Sequence, residues 1–233
     1  MAVGINNGAS GGERNIWIYD FVRSNLSRLT SEKEEAETPV WTPDGERVSY
    51  ATGRSGTRQF LWKPGDGSGT EEVLASDTHH LHFGGWSSSG DALIANAVQG
   101  PDTGSVWTLR RGDTWTLTRY LEAGSQVRGP VVSPDGRWLA YASGESNRYD
   151  IYVQRFPDGG ARYSISSGGG TEPVWARSGR ELFYRNGDRM MAVSIDTRGN
   201  APQIGTPTIL FQEVFAGARP MLGTTSARTA SAS

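Results

Sequence analysis

The sequence predicts an all-β fold built from a repeated unit, and three observations support this prediction. Four segments share one pattern, and the third residues of successive segments are separated by 45, 46 and 43 positions. These third residues are Trp41, Trp86, Val132 and Trp175. A glycine stands four positions after each of them. The 233 residues include 31 glycines and 11 prolines, a composition typical of short strands joined by turns.

Each repeat begins with a strand that ends in a tight turn. Segments 42–45 and 133–136 read Thr-Pro-Asp-Gly and Ser-Pro-Asp-Gly, with proline where φ is about −65° and glycine where the chain reverses. The second strand follows the turn, and its period of two indicates packing on one face. It carries two columns: Val48, Leu93, Leu139 and Leu182, then two residues later Tyr50, Ala95, Tyr141 and Tyr184.

Third and fourth strands complete each repeat. We predict the third strands at 60–62, 106–109, 151–153 and 191–193, and the fourth at 72–74, 116–118, 162–165 and 208–210. Four short strands in a repeat of about 45 residues indicate β-propeller blades, whose faces are buried against neighbouring blades. A β-sandwich would not show so constant a spacing.

The predicted organisation is a flexible N-terminus over 1–13, a β-propeller over 14–215 and a disordered tail over 216–233. A half blade at 14–30 precedes four full blades, at 36–76, 79–122, 126–168 and 169–212. The tail lacks the turn motif that a further inner pair of strands would need. Two alternatives therefore stay open, a five-bladed ring closed by a poor inner pair or a fragment of a larger ring.

Composition excludes several classes of function. The chain has 23 basic and 25 acidic side chains and a net charge of −2, which argues against nucleic acid or an acidic membrane as partner. It has no cysteine, so disulfide scaffolds, thiolate metal sites and cysteine nucleophiles are excluded. No apolar run is long enough to span a membrane. The first residues do not have the pattern of a signal peptide, and the compartment stays undetermined.

The repeat resembles a known family. The turn motif at 133–136, followed by the aromatic strand and by Asp-Ile-Tyr-Val at 150–153, resembles the TolB-like, or WD-like, β-propeller repeat. Residues 132–195 are similar to the C-terminal propeller of bacterial eukaryotic-like serine/threonine kinases. The resemblance implies a sensing or interaction domain of a signalling protein in an extracytoplasmic location. The chain itself has neither a His-Arg-Asp catalytic loop nor an Asp-Phe-Gly motif.

One segment contains every histidine of the chain, namely His79, His80 and His82. His80 and His82 fall on one side of an extended segment, about 6–7 Å apart along it. His82 stands four residues before Trp86, and in the other repeats this position is occupied by Glu37, Arg128 and Thr171. We therefore predict a ligand-binding ring at the channel mouth, formed by Glu37, His80, His82, Arg128 and Thr171.

Three functional hypotheses follow. The first is a non-catalytic binding module, without a cofactor, that presents its channel mouth and loops to a protein, peptide or glycan. The second is a metal-assisted propeller enzyme, such as a polysaccharide lyase, that uses His79, His80 and His82. Because three histidines without a carboxylate nearby in the sequence are not a metal signature, the first is preferred. The third is a truncated fragment without independent activity, whose open blade edges drive self-association.

Overall fold

The computed structural model describes residues 1–6, 14–30, 35–53, 56–98, 104–145 and 148–213. Twenty β-strands form all the regular structure of these residues. The chain divides into two compact units, and the division falls between Thr78 and His79. In the described ranges, no helix is long and apolar enough to cross a membrane.

The first unit contains two antiparallel sheets. A three-stranded sheet has the order β1-β2-β3. Its strands are β1 (Ala2–Asn6), β2 (Arg14–Asp20) and β3 (Asn25–Arg28). A four-stranded sheet follows in chain order: β4 (Ala36–Trp41), β5 (Arg47–Thr52), β6 (Arg58–Pro64) and β7 (Glu72–Asp77). Ile16, Val48 and Tyr50 are fully buried between the two sheets.

Strand β1 corrects the prediction of a flexible N-terminus. Ala2 is buried in the same core as Ile16, and β1 pairs with β2 along its whole length. The first residue is also held, because Met1 and Tyr19 exchange two hydrogen bonds through their backbones and the terminal amine. Residues 1–6 are therefore ordered by burial and pairing, and the leading sheet has three strands instead of two. Residues 7–13 lie outside the described part of the chain.

The second unit contains three sheets. The first is β8 (Leu81–Trp86), β9 (Ala92–Ala97), β10 (Ser105–Arg111) and β11 (Trp115–Glu122). The second is β12 (Val127–Val132), β13 (Trp138–Ser143), β14 (Asp150–Arg155) and β15 (Arg162–Ser164). The third is β16 (Thr171–Trp175), β17 (Glu181–Asn186), β18 (Arg189–Asp196), β19 (Gln203–Ile204) and β20 (Thr208–Gln212). Strand β18 pairs with β20 over its first half and with β19 at its end.

The predicted columns match the register of the sheets. The first and second strands pair at equivalent positions in the sheets of the four full repeats: Trp41 with Val48, Trp86 with Leu93, Val132 with Leu139, and Trp175 with Leu182. The turn after β12 is closed as expected, since the Gly136 N–H donates to the Ser133 carbonyl and the Ser133 hydroxyl to the Asp135 carboxylate. Gly136 has φ +74°, which a residue with a side chain adopts only under strain.

Neighbouring sheets of the second unit pack through their first strands. Strand β12 contacts β8 and β9 on one side and β16 on the other. Leu139 and Tyr141 are fully buried against Ile94, whereas Ala140 and Ala142, on the opposite face of β13, pack against Leu182. The predicted all-β fold of four-stranded antiparallel blades is therefore confirmed. The tail predicted over 216–233 lies outside the described residues.

Candidate functional site

The four aligned residues of the predicted ring occupy one register position, each in its own sheet. They stand at or near the start of the first strand and pair with the second strand: Glu37 with Ala51, His82 with Asn96, Arg128 with Ala142, and Thr171 with Arg185. A β-bulge follows within one or two residues in every case. The backbone of the repeat therefore brings these side chains to equivalent points. Their chemical surroundings differ.

Glu37 is buried inside the first unit, with 4% of its surface exposed. One carboxylate oxygen accepts a hydrogen bond from Arg58 Nη1 at 2.6 Å, and the other accepts one from Arg14 Nη1 at 3.1 Å. Arg58 is itself buried, so the pair is shielded from solvent. Glu37 thus belongs to an internal ion-pair network, and its place in a ligand-binding ring stays a prediction.

Arg128 has the opposite surroundings in the second unit. Its side chain is exposed, and its guanidinium lies 4.5 Å from the ring centre of Tyr149. The Tyr149 hydroxyl donates to the side-chain oxygen of Gln126, which fixes the ring beneath the cation. Among the described residues, no carboxylate lies within ion-pair distance of Arg128. The geometry therefore orients a guanidinium without neutralising it.

Thr171 lies on β16, the strand that packs beside β12. The residue after it, Glu172, is exposed and has φ +57°, and Gly129 has φ +55° at the equivalent position of β12. A Cβ atom added to Gly129 would lie 3.5 Å from Cδ of Pro173, so the two strand starts approach closely. Arg128 and Thr171 are therefore presented on adjacent strands by matching bulges.

The histidine cluster divides into a single residue and a pair. The ring of His79 lies 4.4 Å from Trp107, between ring centres. His80 and His82 lie together, with ring centres 5.2 Å apart and nearly perpendicular planes. The prediction that these two share one side of the extended segment is confirmed. Two imidazoles supply two nitrogen ligands, fewer than the three protein ligands of catalytic zinc sites, so the pair alone is not a complete metal centre.

Sequence reasoning missed two clefts beside the hairpin turns. The arginine cleft, in the second unit, has a volume of about 850 Å³ and is lined by residues 134–135, 137, 178–180, 194–198 and 203–205. The acidic cleft, in the first unit, has a volume of about 640 Å³, and its charged residues are Asp20, Arg23, Glu46 and Asp66. The sequence does contain a pattern that indicates the charge of these clefts. The residue after the turn glycine is Glu46 or Asp91 in two repeats and Arg137 or Arg180 in the other two.

Two ion pairs are built into the wall of the arginine cleft. Arg137 Nη2 lies 2.9 Å from Asp135 Oδ2, and Arg198 Nη2 lies 2.6 Å from Asp196 Oδ2. The hydrogen-bonded Arg198 side chain holds the pKa of Asp196 far below its ordinary value. Partial burial acts to raise the pKa of Asp135, but hydrogen bonds from Ser133 and Arg137 outweigh it and lower the pKa. Both aspartates are therefore ionised at neutral pH.

Comparison with known proteins establishes the fold. No protein-family model matches the chain, and no curated protein matches it. TolB from Acinetobacter baumannii superposes with a TM-score of 0.67 at 18% identity, over 89% of this chain and 52% of that one. A protein from Agrobacterium tumefaciens assigned as TolB gives 0.66 at 17% identity, over 85% and 76%. The chain thus spans about half the length of the first of these proteins.

A third similar structure is an enzyme, an oligogalacturonate lyase in complex with manganese. It superposes with a TM-score of 0.60 at 16% identity, over 89% of this chain and 62% of the lyase. Identities this low show the fold alone. The chain has a TolB-like β-propeller fold.

Proposed function

We propose that this chain is a non-catalytic binding module that presents the starts of its first strands to a protein, peptide or glycan ligand. The observation that carries the proposal is Arg128, an exposed guanidinium held over Tyr149 with no ion-pair partner in the described part of the chain. Stacked, unpaired arginines beside an aromatic ring are typical of recognition surfaces. By its resemblance to kinase-associated propellers, the module serves as the sensing domain of a signalling protein.

The binding surface of the second unit combines different chemistries on adjacent strands. Arg128 offers a cation, Thr171 a hydroxyl, and the His80–His82 pair offers imidazoles on β8 and in the residues just before it. Strand β12 contacts both β8 and β16, which supports a common binding surface for these groups.

Peptide and glycan arrays test the proposal. We expect the wild-type chain to retain specific ligands, and Arg128→Ala to lose them. Arg189→Ala is the matched control, because Arg189 is also an exposed strand arginine of the second unit. Equal retention by Arg128→Ala and wild type, or turnover of an array substrate, would contradict a non-catalytic module that acts through Arg128.

A metal-assisted lyase is the second candidate, favoured by the 5.2 Å separation of the His80 and His82 rings. The manganese-bound lyase among the structural neighbours shows that this fold accommodates such chemistry in another protein. Calorimetric titration of Mn²⁺ and Zn²⁺ into wild type and His80→Ala/His82→Ala tests it, together with ultraviolet detection of unsaturated product from oligogalacturonate. Equal weak heats and no product would eliminate this candidate.

Self-association has a specific candidate surface in β20. Ile209, Leu210 and Phe211 are 52%, 53% and 47% exposed, and β20 contains no charged residue. Among the described strands β20 pairs only with β18, which leaves an apolar edge without the charges that protect such edges. Light scattering after size exclusion should show a dimer that Leu210→Lys converts to monomer. A monomeric wild type would contradict this surface.

A further inference from the structure

The arginine cleft lies at the other end of β12 from Arg128, where the chain turns into β13. Its walls are the turns after β12 and β16, the end of β18, and β19. The cleft is open along one side, so a bound molecule remains partly in solvent. At about 850 Å³ its volume lies within the range of ligand sites in proteins.

The charges of the cleft do not balance. Arg137 is paired with Asp135, and Arg198 with Asp196. Arg180 is the third arginine of the lining, and in the described ranges no carboxylate lies within ion-pair distance of it. Arg180 lines the same cleft as the Asp196–Arg198 pair. The lining therefore has three cations, two anions and one guanidinium free for a ligand.

Two arginines, Arg137 and Arg155, hold backbone carbonyls at the rim of the cleft. Arg137 Nη2 donates to the Thr197 carbonyl at 3.3 Å, and Arg155 Nη2 donates to the Gly199 carbonyl at 2.9 Å. The Gly205 N–H, directly after β19, donates to the Ser194 carbonyl of β18 and holds these two lining segments together. These contacts fix the shape before a ligand arrives, which lowers the entropic cost of binding.

The lining selects a class of ligand. A guanidinium binds carboxylates through paired hydrogen bonds, and Ser178, Ser194 and Gln203 add neutral donors beside Arg180. Pro134 and Ile204, both half-buried, offer apolar surface to a side-chain stem. None of the lining residues is aromatic, so the cleft has no platform on which a sugar ring would stack.

From these features we infer that the arginine cleft docks an acidic peptide segment, with an Asp or Glu carboxylate on Arg180. An open groove suits a chain that passes through it, whereas a small metabolite requires fuller enclosure. The acidic cleft of the first unit is a natural contrast. Asp20, Glu46 and Asp66 outnumber Arg23 there and would repel the same peptide. The site is separate from Arg128, so it does not depend on the function proposed above.

Fluorescence anisotropy with a labelled hexaglutamate peptide tests the inference on the full chain. We expect binding that weakens as salt rises, and a loss of about tenfold in affinity for Arg180→Glu. Arg189→Glu makes the same charge change on β18 outside the cleft and should cost about twofold or less. Thermal melts of each variant establish that it is folded.

Several results would overturn the inference. Equal losses of affinity in Arg180→Glu and Arg189→Glu would mean that the peptide responds only to the net charge of the protein. Binding of hexalysine as tight as that of hexaglutamate, or no binding of either, would remove the site. Tighter binding of trigalacturonate than of hexaglutamate would assign the cleft to acidic glycans instead of peptides.

Discussion

The two units use one repeat position in opposite ways. Glu37 in the first unit is buried and ion-paired to Arg58, whereas Arg128 in the second unit is exposed and lies over Tyr149. Of the residues after the turn glycines, Glu46 of the first unit lines the acidic cleft, and Arg137 and Arg180 of the second unit line the arginine cleft. Asp91, also in the second unit, lines neither cleft. The repeat backbone determines where a side chain stands. Its neighbours from other strands determine whether it stabilises the fold or remains available for a ligand.

The largest expected effect comes from removing the Glu37 carboxylate. Glu37→Ala leaves Arg58 buried without its 2.6 Å partner, and we expect a loss of about 3–5 kcal/mol in the free energy of unfolding, measured by urea denaturation. Glu35→Ala is the control, because its 3.7 Å contact with Arg14 is partly exposed and should contribute less than about 1 kcal/mol. Similar small losses in both variants would refute a structural role for Glu37.

A second prediction concerns the contact of β8 with β12 in the second unit. A Cβ atom at Gly84 would lie 1.9 Å from the Pro130 carbonyl oxygen, while a Cβ at Gly85 meets nothing within 4 Å. Gly84→Ala should therefore lower the free energy of unfolding by about 2–3 kcal/mol, and Gly85→Ala by less than about 1 kcal/mol. Denaturation of the two single variants measures the difference. Equal stability would show that β8 and β12 do not approach this closely.

The third prediction compares how the stability of the two units depends on pH. Asp150 is buried and accepts hydrogen bonds from Arg148, Ser166 and the Gly169 N–H, whereas the first unit has neutral Asn15 at the equivalent position. Burial acts to raise the pKa of Asp150, but the hydrogen bonds from Arg148, Gly169 and Ser166 lower it below 3.8.

Because the folded pKa is depressed, the stabilisation from Asp150 is complete above pH 3.8 and is lost as pH falls through the folded value. Asp150→Asn should flatten the dependence of the melting temperature on pH below 3.8, and Asn15→Asp should steepen it. Melting curves across this range provide the measurement. An unchanged slope in Asp150→Asn would contradict the hydrogen-bonded carboxylate.

The smallest effect is expected at the strained bulge of β16. Glu172 has φ +57° with its side chain exposed, and Gly129 occupies the equivalent position of β12 with φ +55°. Glu172→Gly should stabilise the chain by about 0.5–1 kcal/mol, because the relief of left-handed strain exceeds the entropic cost of glycine. Glu181→Gly, in the ordinary strand β17, should destabilise it. Destabilisation by both would show that the left-handed conformation at Glu172 costs little.

Local patterns in the sequence were sufficient to predict the fold. The turn at 133–136 and the columns through Tyr141 and Leu139 depend on neighbouring residues and a period of two, so they are readable from the chain alone. Strand β1 was missed because its five residues are too few to show a period, and a Gly-rich stretch follows them in the sequence. Its order comes from Ala2 packing near Ile16, which local reasoning does not detect.

The repeat register of the four aligned residues was predictable from the sequence, but the surroundings of each side chain were not. The alignment of Glu37 with Arg128 gave the correct register, yet the burial of Glu37 depends on Arg58, which is 21 residues away on β6. The stacking of His79 on Trp107 likewise joins β10 to the residues just before β8. Contacts between strands distant in sequence leave no periodic signal, so only the structure separates these roles.

Hydrogen–deuterium exchange with a ligand from the arrays tests whether the ligand contacts Arg128 and Thr171 but not Glu37. We expect slower exchange of the amides at 127–129 and 171–172 when the ligand is bound, and no change at 36–41 around Glu37. Equal protection around Glu37, or protection only elsewhere, would contradict the division of roles between these equivalent positions.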